Sequence, residues 1–419
     1  MDRRVVITGM GGIASTGKTP QEIFESTVHG RSGIRRVTRF STDAYHKCKV
    51  AGEVDINPGL VDRVLRKEVL KMARATQFVM YAIRQALTDS HFNFDHLIPK
   101  KAQRVGICMG ASIIGMSDVI EQVGKYSATG AKYISSQLIQ RIMPSAIAAR
   151  PSVHEGIHGP SYTTSAACAS SGISVIDACT LITTDECDVV LTGGGEDAID
   201  PISLASFGNM PALSRGWNEQ PEKASRPFDS KRSGFVPSEG GFAFVFEELS
   251  HALARKATIY AEIVGYCRNS DAYNIVLPDP SGSWQSLCME TALERARIKT
   301  SGLSYISAHA TGTTDGDPPE CRAIASLLGE DVGKVPVSST KAVTGHLMSA
   351  SAAIELQICV MAINEGVIPP TTNLDIIDPE CAGIRHVQNA IKTNVDVVLS
   401  NSFGFGGPNS AIVVKRFTM

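Results

Sequence analysis

Cys168 sits in TSAACASSG (164–172), a run in which every neighbour is small. A thiol becomes a nucleophile once it loses its proton, and small neighbours let a substrate carbonyl reach both the sulfur and the nearby amides. Such a thiol needs polar partners, and the second half of the chain offers two stretches that carry them. SAHATGTTDGDPPE (307–320) places His309 ahead of Thr311, Thr313, Asp315, Asp317 and Glu320. VSSTKAVTGHLMSASAAIE (337–355) places Lys341 and His346 around a strand-to-helix turn. A fourth turn, NSFGFGGPNS (401–410), alternates glycines with Phe403 and Phe405, as suits a backbone that bends close to a ligand. This turn lacks both G-x-G-x-x-G and a P-loop lysine, so phosphate cradling is rejected. Taken singly, the cysteine reads more simply as a small core hydrophobe and each histidine as a hydrogen-bonded structural residue. Their recurrence at successive turns favours a site.

These turns need strands and helices to carry them. Val/Ile-rich runs alternate with helical stretches, which indicates α/β architecture with buried strands. YTTSAAC (162–168) reads as a strand ending at the cysteine, and ASSGISVIDACTLITT (169–184) as a helix apolar on most faces, hence a buried one. Cys168 would then lie at a helix N-terminus, where free N–H groups and the dipole stabilise a thiolate. The strand patterns repeat. DVVLTGGG (188–195) and FAFVFEE (242–248) correspond to DVVLSNSFGFGG (396–407) and SAIVVKRF (410–417). RVVITGMG near the start corresponds to YAEIVGYC (260–267), and RVGICMGAS (104–112) to LSYISAHATGT (303–313). Two copies of one α/β unit are expected, an N-terminal half over 1–250 with the cysteine and a C-terminal half over 251–419 with both histidines.

Composition narrows the partners. With 419 residues, 43% hydrophobic and a net charge of −2, the chain can bury a large core and has no bulk field for nucleic acid or an anionic membrane. No stretch approaches the roughly 20 apolar residues of a membrane span, and MDRRVVITGMGG has no apolar signal region, so a cytoplasmic protein is expected. The ten cysteines form no C-x-x-C pair and no cluster at metal-ligand spacing, so no metal is expected.

AACASSG, AHATGT, SSTKAVTGHLMSASAAIE and NSFGFGGPN, in this order and spacing, closely resemble the elongating β-ketoacyl-acyl-carrier-protein synthases of the thiolase superfamily. VVITGMGGIAS (5–15), ASRPFDSKRSGFVPSEGG (224–241) and NSDAY (269–273) extend the likeness over the whole chain. The resemblance implies the thiolase fold, two duplicated α/β halves in a five-layer α-β-α-β-α arrangement. It implies that Cys168 takes an acyl chain from a carrier-protein thioester, with the amides of Cys168 and Phe403 as oxyanion hole. His309 and His346 would stabilise the enolate formed as malonyl-carrier protein loses carbon dioxide, and Lys341, paired with Glu320, would orient them. Thr311 and Thr313 would hold the pantetheine arm, Asp271, Gly404 and Gly406 would line the substrate path, and Phe403 would gate the acyl pocket. No cofactor is implied beyond the phosphopantetheine that carries the substrates.

The resemblance also implies an acidic acyl carrier protein as partner, met by a basic patch for which Arg63, Arg66, Lys67, Lys71 and Arg215 are candidates. It implies a dimer, with residues near 110–145 lining the acyl pocket across the interface. Three departures bear on pathway: Pro408 where fatty-acid enzymes usually carry threonine, NIVLPDP (274–280) in place of a histidine and small polar residues, and an altered 137–152 segment. These favour a type II polyketide or polyene pathway, in which such chains pair with a cysteine-less chain-length factor, over housekeeping fatty-acid elongation. A non-catalytic scaffold and a coenzyme A thiolase are the competing classes; thiolases use a second cysteine near the C-terminus, which NSFGFGGPNS lacks.

Overall fold

The computed structural model describes residues 3–42, 47–55, 68–69, 71–94 and 98–419. One sheet of eleven strands runs through it. In chain order these are β1 (Val5–Ala14), β2 (Val105–Gly110), β3 (Ser161–Thr164), β4 (Val189–Glu196), β5 (Gly240–Glu248), β6 (Ala261–Ser270), β7 (Tyr305–Ser307), β8 (Pro336–Ser338), β9 (Arg385–His386), β10 (Val397–Phe403) and β11 (Pro408–Lys415). The spatial order is β9-β8-β7-β10-β11-β6-β1-β5-β4-β2-β3. Outward from the β1–β6 pair, five strands on each side follow one plan, and β9 adds a sixth beyond β8. In the first half β1 pairs antiparallel with β5 and β5 with β4, and β2 is parallel to both β4 and β3. In the second half β6 pairs antiparallel with β11 and β11 with β10, and β7 is parallel to both β10 and β8. The repeats read in the sequence are therefore topologically equivalent strands. The halves join where Val5, Val6 and Ile7 pair antiparallel with Ile263, Glu262 and Ala261.

Six helices matter for the layers: α1 (Arg74–Ser90), α2 (Met116–Thr129), α3 (Ser170–Thr183), α4 (Ser283–Ala296), α5 (Asp317–Leu328) and α6 (Ser351–Glu365). Helix α1 covers β1 and β5 on one outer face, and α4 covers β6 and β11 on the other. Between the two parts of the sheet, α3 packs on β4 and β2, α6 packs on β10, and α3 and α6 touch. This is the five-layer α-β-α-β-α order of the thiolase fold. Helices α3 and α6 have no solvent face wide enough for a polar stripe, which explains their apolar sequences. Their contact needs Gly172, where a Cβ would lie 2.3 Å from Ser410 Oγ and 3.2 Å from the Ala352 Cβ. A single core cluster includes Ile176 of α3, Ile354 of α6, Val190 and Phe242 of the first half, and Val398 and Ile412 of the second. No helix among the described residues is long and apolar enough to cross a membrane.

Candidate active site

The chemistry-bearing turns all follow the carboxyl ends of strands in the parallel parts of the sheet, the usual place for ligands in open α/β sheets. Strand β3 ends at Thr164, four residues short of Cys168, where the sequence predicts a strand reaching the cysteine. The intervening residues make a tight elbow instead. Ala167 has φ +46°, Ala169 N donates to Ala166 O at 3.0 Å, and Ser170 N donates to Ala167 O at 3.1 Å. The Ser170 hydroxyl accepts from Ala166 N at 2.8 Å and donates to Ala167 O at 2.6 Å. The elbow thus turns the thiol into a cavity of about 520 Å³.

Inside this cavity His346 Nε2 stands 3.1 Å from Cys168 Sγ, and His346 Nδ1 stands 2.8 Å from Ser351 Oγ. The His309 and His346 rings meet edge to face at 5.4 Å. Phe235 holds the other side of His346 at 5.2 Å, and Phe403 lies 5.9 Å from His309. The 224–241 stretch acts as a clasp. His346 N donates to Val236 O, Ser238 N to His346 O, and Gly234 N to Gly312 O. Phe228 N donates to Asp317 of α5 at 2.9 Å.

Lys341 does not pair with Glu320, as the resemblance implies; its ammonium is ion-paired to Glu355 of α6. It also donates to His309 O at 2.5 Å and faces His309 Nδ1 at 3.4 Å. Because an ammonium only donates, His309 Nδ1 must accept, which leaves the Nε2–H of the neutral ring free for a ligand. Glu320 is occupied by amides, accepting from His309 N and Ala310 N at 2.7 Å each. Glu355 makes the ion pair with the buried cation, while Glu320 feels it at longer range. Burial pushes the Glu355 and Glu320 carboxyls up to about 7, against the pull of Lys341.

Burial also decides the resting state of the nucleophile. The helix N-terminus led to an expected thiolate, yet desolvation pushes the Cys168 thiol up to about 12, with the Phe405 amide and Lys341 opposing it only in part. The same desolvation, aided by Lys341, holds both histidines well below the ordinary imidazole range. At neutral pH the site therefore contains a thiol and two neutral imidazoles. The loop amide that reaches the sulfur is that of Phe405, whereas the resemblance gives the amide of Phe403 to the oxyanion hole. A Cβ on Gly404 would lie 2.8 Å from Ala166 O and 3.2 Å from Cys168 N, so only glycine lets the loop lie flat there.

The other expected residues divide. Thr311 and Thr313 line the cavity, their hydroxyls 3.1 Å apart. Phe403, Gly404 and Asp271 also line it, while Gly406 does not and supplies a turn with φ +85°. Asp271 braces the loops, accepting from Asp279 N at 3.0 Å and Asn409 Nδ2 at 2.7 Å. Arg63, Arg66 and Lys67 lie outside the described residues. Lys71 is ion-paired with Glu68 at 2.7 Å and does not line the cavity. Arg215 is exposed beside the cavity wall and donates to Gly208 O at 3.2 Å. Sequence reasoning missed Ser351, Glu355 and Phe405. Ser351 and Glu355 are four apart, one face of one helix, which was a readable signal. Cys168 Sγ and the nearest nitrogens of His309 and His346 lie within 4.8 Å of one another, a soft donor set a thiophilic cation could occupy.

The chain matches the family described as Beta-ketoacyl synthase, N-terminal domain, over residues 2–252, and Beta-ketoacyl synthase, C-terminal domain, over 260–375. It belongs to the β-ketoacyl synthase family. The synthase is 37% identical to 3-oxoacyl-[acyl-carrier-protein] synthase 2 of Coxiella burnetii, with 99% of each chain covered. It is 38% identical to the protein of the same name in Synechocystis, over 99% of this chain and 98% of that one. Among solved structures, a β-ketoacyl synthase from Burkholderia phymatum superposes with TM-score 0.91 and 32% identity, covering 99% of this chain and 100% of that one. The ishigamide ketosynthase/chain length factor gives 0.90 and 31%, with both chains fully covered. A type II polyketide ketosynthase solved with its acyl-carrier protein and bound to a hexaketide gives 0.88 and 28%, again over both full chains. The synthase is thus an acyltransferase, a ketosynthase of the 3-oxoacyl-acyl-carrier-protein synthase 2 type.

Proposed function

We propose that this ketosynthase joins an acyl chain held on Cys168 to the two-carbon unit of malonyl-acyl carrier protein. The observation that carries the reading is the 3.1 Å approach of His346 Nε2 to Cys168 Sγ, in a cavity that His309 shares. In the first step the sulfur attacks the carbonyl of an acyl-carrier thioester. Its proton passes to neutral His346 and leaves with the carrier's thiol, and the new thioester on Cys168 splits one hard transfer into two easier ones. The amides of Cys168 and Phe405 would stabilise the oxyanion that develops.

In the second step malonyl-carrier protein enters and its C–CO₂ bond breaks, releasing carbon dioxide. The electron pair becomes an enolate whose oxygen accepts hydrogen bonds from the Nε2–H groups of His309 and His346. The Ser351 hydroxyl can donate or accept, so His346 can serve as proton acceptor in the first step and donor in the second. The enolate carbon attacks the acyl-Cys168 carbonyl, the C–S bond breaks, and the departing thiolate takes up a proton from solvent, the one proton that the overall condensation consumes. Thr311 and Thr313 hold the arm. No cofactor is required besides the carrier's phosphopantetheine. Among the described residues Cys168 is the only cysteine lining the cavity, which argues against the two-cysteine thiolase scheme, and an intact Cys-His-His set argues against a scaffold. Replacing Cys168 by Ala should abolish condensation and leave the fold intact. Intact-mass detection of acyl chains on the wild type but not on Cys168→Ala is the decisive measurement, and elongation by the variant near the wild-type rate overturns the assignment.

The pathway we propose is type II polyketide or polyene assembly in the cytoplasm, as a dimer with a chain-length-factor-like partner. Pro408 in the glycine-rich loop and the apolar Val276, Leu277 and Pro278 at the cavity wall support it. A second reading, fatty-acid elongation by a homodimer, is favoured by the full-length identity to proteins named 3-oxoacyl-[acyl-carrier-protein] synthase 2.

A further inference from the structure

Glu196 ends β4 as part of the wall of the catalytic cavity, is almost wholly buried, and takes part in no step of the reaction. Its hydrogen-bond partners define its protonation. Oε1 accepts from Asp197 N at 2.9 Å and Ala198 N at 3.0 Å, and Oε2 accepts from Ser349 N at 3.2 Å. The Ser349 hydroxyl stands 2.7 Å from Oε2 and 2.9 Å from Gly195 O, and its one proton cannot lie on both lines. A proton on Oε2 completes the set, the acid donating to Ser349 Oγ and Ser349 Oγ to Gly195 O. A carboxylate would leave two oxygens facing each other with no hydrogen between them. Desolvation, joined by repulsion from Asp197, agrees with the neutral form and pushes the Glu196 carboxyl up to about 8.

The same contacts hold the turn between His346 and α6. Met348 in this turn has φ +39°, a left-handed value that a residue with a side chain keeps only where its surroundings over-determine it. Glu196 supplies that constraint through Ser349, which lies between His346 and the Ser351 hydroxyl that meets His346 Nδ1. Charge matters here as well, because an ionised Glu196 raises the Cys168 thiol further. We propose that Glu196 is a positioning residue that works as a neutral carboxylic acid, pinning the turn of His346 while keeping a fixed negative charge away from the thiolate and enolate formed in the reaction. The proposal rests on the ketosynthase reading of the cavity. Other groups titrate nearby. Asp197, pushed up by burial to about 7, accepts from Ala75 N and Gly115 N. Behind it Glu239 is paired with Arg39 and Arg74, and Asp118 with Arg141. On the His346 side stand Cys168, His309, Glu320 and the Lys341–Glu355 pair. All of these remain in Glu196→Gln, so the difference between the two chains isolates Glu196.

Gln donates on one side and accepts on the other, as the neutral acid does. A carboxyl raised in the folded state costs stability as pH climbs from its unfolded value, about 4.3, to the folded one. In thermal unfolding Glu196→Gln should therefore gain on wild type between pH 5 and pH 8 and keep that gain above pH 8. Initial carbon dioxide release from malonyl-pantetheine, by enzyme acylated beforehand, should fall about threefold or more from pH 7 to pH 9 in wild type, as a charge added near a developing enolate does. In Glu196→Gln the same ratio should stay within about twofold, since no charge is added. A gain that reverses with rising pH marks a stabilised carboxylate and overturns the proposal. So does a Glu196→Gln chain that does not fold, or a pH ratio equal in the two chains. Wild type that releases no carbon dioxide at any pH overturns the ketosynthase reading and this proposal with it, whereas a reversed thermal series overturns this proposal and leaves that reading standing.

Discussion

Cys168 and His346 share one proton across 3.1 Å, and burial decides where it rests. With the thiol pushed up to about 12, alkylation of the free enzyme by iodoacetamide should keep rising with pH beyond 9, close to tenfold per unit. A rate that levels off near pH 7 would show a resting thiolate instead. The histidines should separate in their effects. His309→Ala should suppress carbon dioxide release by about 10²–10³, the usual cost of one oxyanion-type donor, and leave acylation of Cys168 intact. His346→Ala should impair both steps, because it touches the sulfur as well. Acyl transfer and carbon dioxide release, measured separately, decide this; equal release from wild type and both variants overturns the roles. Residue types made Cys168, His309 and His346 legible in the sequence. The acid that neutralises Lys341 was not, since Glu320 and Glu355 are both plausible by type and only the packing of α6 against β10 chooses.

At the scale of elements, the site depends on how closely the glycine-rich loop lies on the elbow. Gly404→Ala would force a Cβ against Ala166 O, so the variant should fold yet acylate slowly, as a pulse of labelled acyl donor would show. The α6 anchor predicts a pH effect. Lys341→Met leaves Glu355 buried without its cation, and breaking a buried pair typically costs about 3–5 kcal/mol. A carboxyl whose folded pKa is raised loses stability as pH rises from its unfolded value towards the folded one. The variant's deficit in thermal unfolding should therefore be larger at pH 8 than at pH 6; a deficit independent of pH would mean that Glu355 finds another donor. Buried-strand patterns made the duplicated topology legible, because β1 and β6, or β4 and β10, bury similar Val/Ile runs. The end of β3 was illegible, since nothing in SAAC announces the left-handed Ala167.

For the whole molecule, the open question is what covers the edge at β3. Among the described residues that strand pairs only with β2, and Tyr162 on it is exposed. Nearby segments add Ile113, Val123 and Tyr126 of α2, Tyr133, Ile139 and, at 84% exposure, Val153. An unpaired edge beside so many large apolar groups is an aggregation hazard unless another chain covers it. Ile113 also lines the catalytic cavity, so a partner on this face would complete the acyl pocket. A homodimer would present the altered 137–152 segment twice, whereas a heterodimer lets a second chain shape the far wall. We therefore expect the protein made alone to be poorly soluble or a weakly active homodimer. Co-expression with a cysteine-less homologue should give a stable one-to-one complex whose interface exceeds roughly 2,000 Å², as obligate interfaces do. Light scattering and native mass measurement would establish the stoichiometry. A stable homodimer that elongates saturated acyl chains at full rate without a second chain would instead assign the synthase to fatty-acid elongation.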